Sequence, residues 1–210
     1  MGYAGNPDLW ADLFPDGLVP WILDLVLESW QTFPKPRPTE LEVPITKRFC
    51  VHLRARKDRS GAPFSIWPES EELDSESGEL LGRIDLRLLH GHRERVYFAL
   101  ECKRLNVVAN RRRSSLAGKY VEEGMMRFIT GQYAGGLDKG GMLGYVMDGK
   151  TADAIASVKC AIDSRRNSLA LKKGTSLSVC ALRPNIKEVK ETNHVPTGRH
   201  FVIYHLFVGV

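Results

Sequence analysis

The chain has 210 residues, 43% of them apolar and 26% charged, with a formal net charge of +5. That is an ordinary soluble globular composition, long enough for one domain with a substantial core. The four dispersed cysteines, Cys50, Cys102, Cys160 and Cys180, contain no CxxC pair and exclude a disulfide framework or a clustered zinc site.

Charge is uneven along the chain. The first 34 residues hold five acids and no Lys or Arg; residues 69 to 79, "ESEELDSESGE", hold six acids; residues 103 to 119, "KRLNVVANRRRSSLAGK", hold six bases. Without the acidic stretch the remainder carries a formal +11, a footprint suited to a phosphate backbone. The start lacks the basic lead and compact apolar core of a signal peptide. The apolar run "LVPWILDLVLESW" is interrupted by Asp24 and Glu28 and is too short to span a bilayer. A cytoplasmic protein with no membrane attachment is expected.

In chain order, residues 18 to 33 place Leu18, Ile22, Leu25, Val26 and Phe33 on one helical face. "FPKPRP" breaks that helix. Thr39 is predicted to cap a second helix, "ELEVPITKRFCVHLRARK", with Pro44 near its first turn. "PFSIWP" gives a short strand, and the acidic stretch after it is expected to be a solvated, mobile loop because its charges cannot be buried together. Strands follow at about 82 to 90 and 95 to 105, joined by "HGHRE". Residues 116 to 133 form a helix with Val121, Met125, Phe128 and Ile129 on a common side. "GGMLGYVMDG" is a central strand, "TADAIASVKCAIDSRR" a helix opened by Thr151 as cap, and "SLSVCAL" and "HFVIYHLFVGV" complete the sheet. The fold class is α/β, a mixed central sheet flanked by helices, with residues 1 to 38 as an N-terminal helical extension and 39 to 210 as the main domain.

Alternation sets the facing of the two middle strands. Ile84, Leu86 and Leu88 share one side of the first, and Arg83, Asp85 and Arg87 the other. In the second, Val96, Phe98, Leu100 and Cys102 oppose Tyr97, Ala99, Glu101 and Lys103. A three- or five-residue loop centred on Arg93 puts Asp85 opposite Glu101. Two carboxylates so close ionise comfortably only with a cation between them, and hard oxygen ligands suit Mg²⁺, with Mn²⁺ as a substitute. Lys103 points to the same place.

"GRIDLRL…VYFALECKRL" resembles the core of the PD-(D/E)xK nuclease superfamily, which has the restriction-endonuclease-like fold. Asp85 matches the first motif and Glu101-Cys102-Lys103 the second, with Ile84 where the family's Pro commonly stands. The order of elements from about residue 39 to 150 is similar as well. The resemblance implies that Asp85, Glu101 and the backbone carbonyl of Cys102 hold a divalent ion, with a Glu of the preceding helix completing the set: Glu42, with Glu40 the competitor. Lys103 would position the attacking water for phosphodiester hydrolysis. Lys103→Ala is then expected to lose cleavage with little change in fold, and Cys102→Ala to keep it.

"NRRRSS" offers Arg111, Arg112 and Arg113 to a nucleic-acid backbone, with a solvated loop the alternative. Of Lys119, Tyr120, Arg127, Gln132 and Tyr133 on the next helix, no spacing picks one out; a structural role is read for each, Lys119 standing nearest to a site role. His90 and His92 belong to a turn without further ligands. No GxxxxGK[ST] loop supports P-loop chemistry, and no GxS or Cys–His signature supports a nucleophilic hydrolase. The expectation is a Mg²⁺-dependent nuclease acting on DNA, in a defence, mobile-element or repair setting by family analogy, with a partner subunit or second copy beside it. The alternatives are a catalytically silent nucleic-acid-binding module and a subunit of a larger assembly.

Overall fold

A computed structural model describes residues 14–74, 77–91, 95–109, 112–134 and 136–210. Helix α1 (Leu18–Thr32) buries Val19, Ile22, Leu23, Leu25, Val26 and Trp30, an apolar stripe at helical spacing. Helix α2 (Glu42–Ser60) starts from Leu41, not from the predicted Thr39, and ends at Gly61 with φ 68. Pro44 is tolerated because amides of the first turn have no intrahelical acceptor to lose. Trp30 ties α1 to the sheet: its ring stacks on Tyr145 at 5.2 Å, meets Phe49 edge-on at 5.3 Å, and its Nε1 donates to the Gly209 carbonyl at 2.7 Å. Residues 18–33 therefore share one core with α2.

Among the described residues nine strands follow: β1 (Ser65–Leu73), β2 (Leu80–Leu89), β3 (Tyr97–Leu105), β4 (Val107–Ala109), β5 (Arg112–Ser114), β6 (Lys139–Val146), β7 (Ser178–Val179), β8 (Val189–His194) and β9 (Phe201–Gly209). The order in the seven-stranded sheet is β1-β2-β3-β6-β9-β8-β7, parallel across β3-β6-β9 and antiparallel outside it, while β4 and β5 pair separately. β6 is central, as its glycine-flanked apolar run predicts. β1 runs further than predicted and takes in Glu69, Glu71 and Glu72. Cations from neighbouring elements make this tolerable: Lys47 sits 3.1 Å from Glu69, Arg83 3.3 Å from Glu71 and Arg87 3.8 Å from Glu72. "SLSVCAL" yields only the two-residue edge β7, and β8 adds a strand between it and β9 that the sequence reading does not include.

The helix after β5 is composite: α3 (Ala117–Tyr120), a π-turn (Val121–Met125) and α4 (Met126–Ile129). Helix α5 (Thr151–Asp163) begins at Thr151, which is its first helical residue and not its cap; Lys150 stands at the cap position. The sheet thus carries α1 and α2 over Leu86, Leu88, Phe98, Leu100, Leu143 and Leu206, and the α3–α4 helix with α5 over Ala99, Met142, Ile203 and Phe207. Ile84 departs from the predicted alternation. It packs with Tyr97 and Ala99 on the second face, whereas Leu86 and Leu88 face the first. The break coincides with Glu69 of β1, whose φ of 45 interrupts the regular strand opposite Asp85.

Beneath α3, four fully buried polar side chains form one chain: Tyr120 to His205 Nδ1 at 2.9 Å, His205 Nε2 to Thr192 at 2.9 Å, Thr192 to His194 Nε2 at 2.7 Å, and His194 Nδ1 to the Leu169 carbonyl at 2.7 Å. Burial pushes His194 down to about 4 and His205 to about 3, from a usual 6.5. Because both pKa values are depressed in the folded state, their contribution is complete above pH 6.5 and is lost as pH falls towards these values. Urea midpoints should therefore drop steeply between pH 6.5 and 4, and His194→Gln should flatten that limb; an unchanged slope would exclude the histidines as its source.

Candidate functional site

The site forms where β2 and β3 part. Their ladder pairs Leu89↔Tyr97, Leu88↔Phe98, Arg87↔Ala99 and Leu86↔Leu100 and stops there. This is the register that a loop centred on Arg93 predicts, and it brings Asp85 to the level of Glu101. Instead of a further ladder bond, the Cys102 amide donates to Asp85 Oδ2 at 2.7 Å. Cys102 itself is fully buried on the α1–α2 side, as alternation requires.

Glu101 and Lys103 lie on the opposite side and are 1% and 8% exposed. Lys103 Nζ donates to Glu101 Oε1 at 2.6 Å, to the Cys102 carbonyl at 3.0 Å and to Glu42 Oε1 at 3.2 Å. Glu42 is held in place by its other oxygen, which accepts the Arg104 amide at 2.8 Å. Glu40 turns away to Arg48 at 2.7 Å, so of the two candidates Glu42 is the one that reaches Lys103. Arg127 Nη1 lies 3.1 Å from Glu101 Oε1 and also donates to the Tyr133 hydroxyl, which donates to the Arg83 carbonyl. Among the described residues, Glu101 Oε2 is buried with no hydrogen-bond partner.

Electrostatics follow from this crowding. Burial and the nearby Asp85 push the Glu101 carboxyl up to about 8, against the pull of Lys103 and Arg127. Burial raises Asp85 also, opposed chiefly by Lys103 and by the Cys102 amide. For Lys103, burial alone would favour the neutral amine; Glu101, Glu42 and Asp85 outweigh it and hold the ammonium above its usual range. Lys103 is thus a fixed cation, not a base.

The donor set of Asp85, Glu101 and the Cys102 carbonyl is of the hard oxygen type that divalent ions take, and the unpartnered Glu101 Oε2 fits such an ion. Both oxygens of Glu42 are already engaged. Among the described residues, no group of three His, Cys, Asp or Glu side chains is disposed to hold a metal. A groove of about 380 Å³ opens beside Lys103 between Leu41, Glu42, Arg104, Leu116 and Lys119. A larger cavity of about 580 Å³, around Glu72, Arg87 and Tyr97, is lined by neither Asp85 nor Glu101.

The other candidates are scattered around this centre. Lys119 is exposed and pairs with Glu123 at 3.6 Å. Arg112 is exposed on β5, whereas Arg113 bridges Asp148 at 3.0 Å and Asp153 at 3.4 Å. Arg111 and His92 lie outside the described residues, and His90 bonds the Pro63 carbonyl at 2.7 Å. Arg127 and Tyr133 are the contacts that sequence reasoning left without a site role. Gly124 lies on the buried side of the same helix, where a Cβ would lie 2.4 Å from Met142 Cε and 3.5 Å from Lys103 Cγ.

Compared with protein-family models, curated proteins and solved structures, the chain matches none. Among the described residues no helix is long and apolar enough to cross a membrane.

Proposed function

We propose that the chain is a divalent-metal-dependent nuclease of the PD-(D/E)xK type, with a restriction-endonuclease-like core, acting on DNA. The observation that carries this reading is the meeting of Asp85, Glu101 and Lys103 where β2 and β3 part, with one Glu101 oxygen buried and unpartnered. Asp85, Glu101 and the Cys102 carbonyl would hold Mg²⁺ or Mn²⁺, with Glu42 orienting Lys103 beside them. The ion supplies positive charge that polarises a phosphate oxygen and makes a water more acidic. Lys103, kept protonated by its three carboxylates, donates a hydrogen bond to the attacking water or to charge developing on the phosphate. Lys119 and Arg104 flank the groove and offer positive charge to the backbone; Arg112 is a further exposed cation, on β5.

The test is incubation of purified protein with supercoiled and linear DNA, with single-stranded DNA and RNA alongside, with and without Mg²⁺ or Mn²⁺. Metal-dependent nicking that disappears with chelator is expected. A second reading, a silent binding module, is favoured by one feature: the cations on Glu101 Oε1 are the chain's own Lys103 and Arg127. Salt-sensitive binding to nucleic acid with no cleavage under any divalent ion would decide for it.

A further inference from the structure

Past Leu86↔Leu100 the two site strands have no ladder between them. Two side-chain bridges stand in its place. In the first, Asp85 accepts the Cys102 amide. In the second, the Arg83 carbonyl accepts the Tyr133 hydroxyl, Tyr133 accepts Arg127 Nη1, and Arg127 meets Glu101 Oε1 at 3.1 Å. The second bridge starts two residues from Asp85 and ends on Glu101, so it sets the spacing of the two carboxylate-bearing strands.

It also sets which Glu101 oxygen is presented. Lys103 and Arg127 both approach Oε1, and Oε2 is left a buried acceptor without a donor. Leaving a buried acceptor without a hydrogen bond is costly, so two donors crowded on one oxygen mark an orientation held from outside. The means is the guanidinium, which can serve a carboxylate and a phenol at once; a lysine ammonium on a flexible stem cannot reproduce that geometry. The π-turn Val121–Met125 directly precedes α4, which carries Arg127, and π-turns inside helices recur at functional sites.

We infer that Arg127 and Tyr133 are positioning residues, a brace that turns Glu101 Oε2 towards the cation and keeps it opposite Asp85. The inference rests on the nuclease reading of the same site. Neither residue touches the reacting atoms.

The experiment measures Mn²⁺ uptake by electron paramagnetic resonance, without nucleic acid, for the wild type, Arg127→Lys, Tyr133→Phe and the double variant. All four carry the same net charge, so a difference in affinity cannot come from bulk electrostatics. Each single variant should bind Mn²⁺ about 10-fold or more weakly, the range found when groups that orient metal ligands are removed. The double variant should lose little more than the weaker single one, because the two residues act as one unit. In cleavage assays kcat should fall with KM unchanged. Thermal midpoints identify any variant that misfolds; Tyr133→Phe keeps the ring against Phe128 and carries the test if Arg127→Lys fails to fold. Wild-type Mn²⁺ binding with equal affinity in both single variants, or losses that add in the double, overturns the brace alone. No Mn²⁺ binding and no cleavage by the wild type would bring down the nuclease reading, and the brace with it.

Discussion

Glu101→Gln is expected to abolish metal-dependent cleavage and to become increasingly stable relative to the wild type as pH rises. The catalytic half follows from losing a charged oxygen donor: a divalent ion contributes several kcal/mol to such reactions, about 10²- to 10⁴-fold in rate. The stability half follows from burial. Glu101 titrates near 8 in the folded chain against a usual 4.5, so its contribution is fully present below 4.5 and is lost as pH rises through 8. Gln carries no such charge. The stability difference between variant and wild type should widen by about 3–5 kcal/mol from pH 4.5 to 9 if the whole shift is expressed. Urea unfolding at half-unit steps measures it. A gap that stays constant would mean that Lys103 and Arg127 neutralise Glu101 completely, and full activity in Glu101→Gln would remove it from the site.

The second large effect is at Lys103, where the structure revises what the sequence suggests. From the sequence alone, Lys103→Ala is expected to change the fold little, since it removes a charge poised at the reacting water. Instead the ammonium is buried against Glu101 and Glu42, with Asp85 acting on it as well. Removing one partner of a buried ion pair typically costs about 3–5 kcal/mol, because the remaining charges are left uncompensated. Lys103→Met should therefore destabilise by that order at pH 8 and by less at pH 5, where Glu101 takes up a proton. Lys103→Arg separates folding from chemistry: it keeps the charge but moves the donors, so it should fold while cleaving poorly. Equal wild-type and Lys103→Met stability at pH 8 would show the three carboxylates to be balanced by something other than Lys103.

Where the chain obeys local rules, the sequence was a good guide. The period of two in "VYFALECKRL" placed Cys102 in the core and Glu101 with Lys103 opposite, and the odd-loop register put Asp85 beside Glu101. Helix α1 and the central β6 were legible from their apolar spacing for the same reason. The failures come from partners distant in sequence. Glu69, Glu71 and Glu72 look like a solvated loop until Lys47, Arg83 and Arg87 stand against them. "VKETNH" looks too polar for an inner strand, because the groups that satisfy Thr192 and His194 come from β9 and from the Leu169 backbone. Spacing does not single out Arg127 among its helix neighbours because a π-turn changes the helical phase ahead of it, which no regular periodicity predicts.

The buried chain under α3 has a direction. A carbonyl can only accept, so the Leu169 oxygen requires the proton of His194 to sit on Nδ1. His194 Nε2 must then accept from the Thr192 hydroxyl, Thr192 must accept from His205 Nε2, and His205 Nδ1 must accept from Tyr120. Two histidines 11 positions apart are thereby locked in opposite tautomers, His194 with its proton on Nδ1 and His205 with its proton on Nε2. Nitrogen chemical shifts of the two rings should report this inversion directly. An extra proton on either ring would set two donors face to face, so the row can take one up only by breaking.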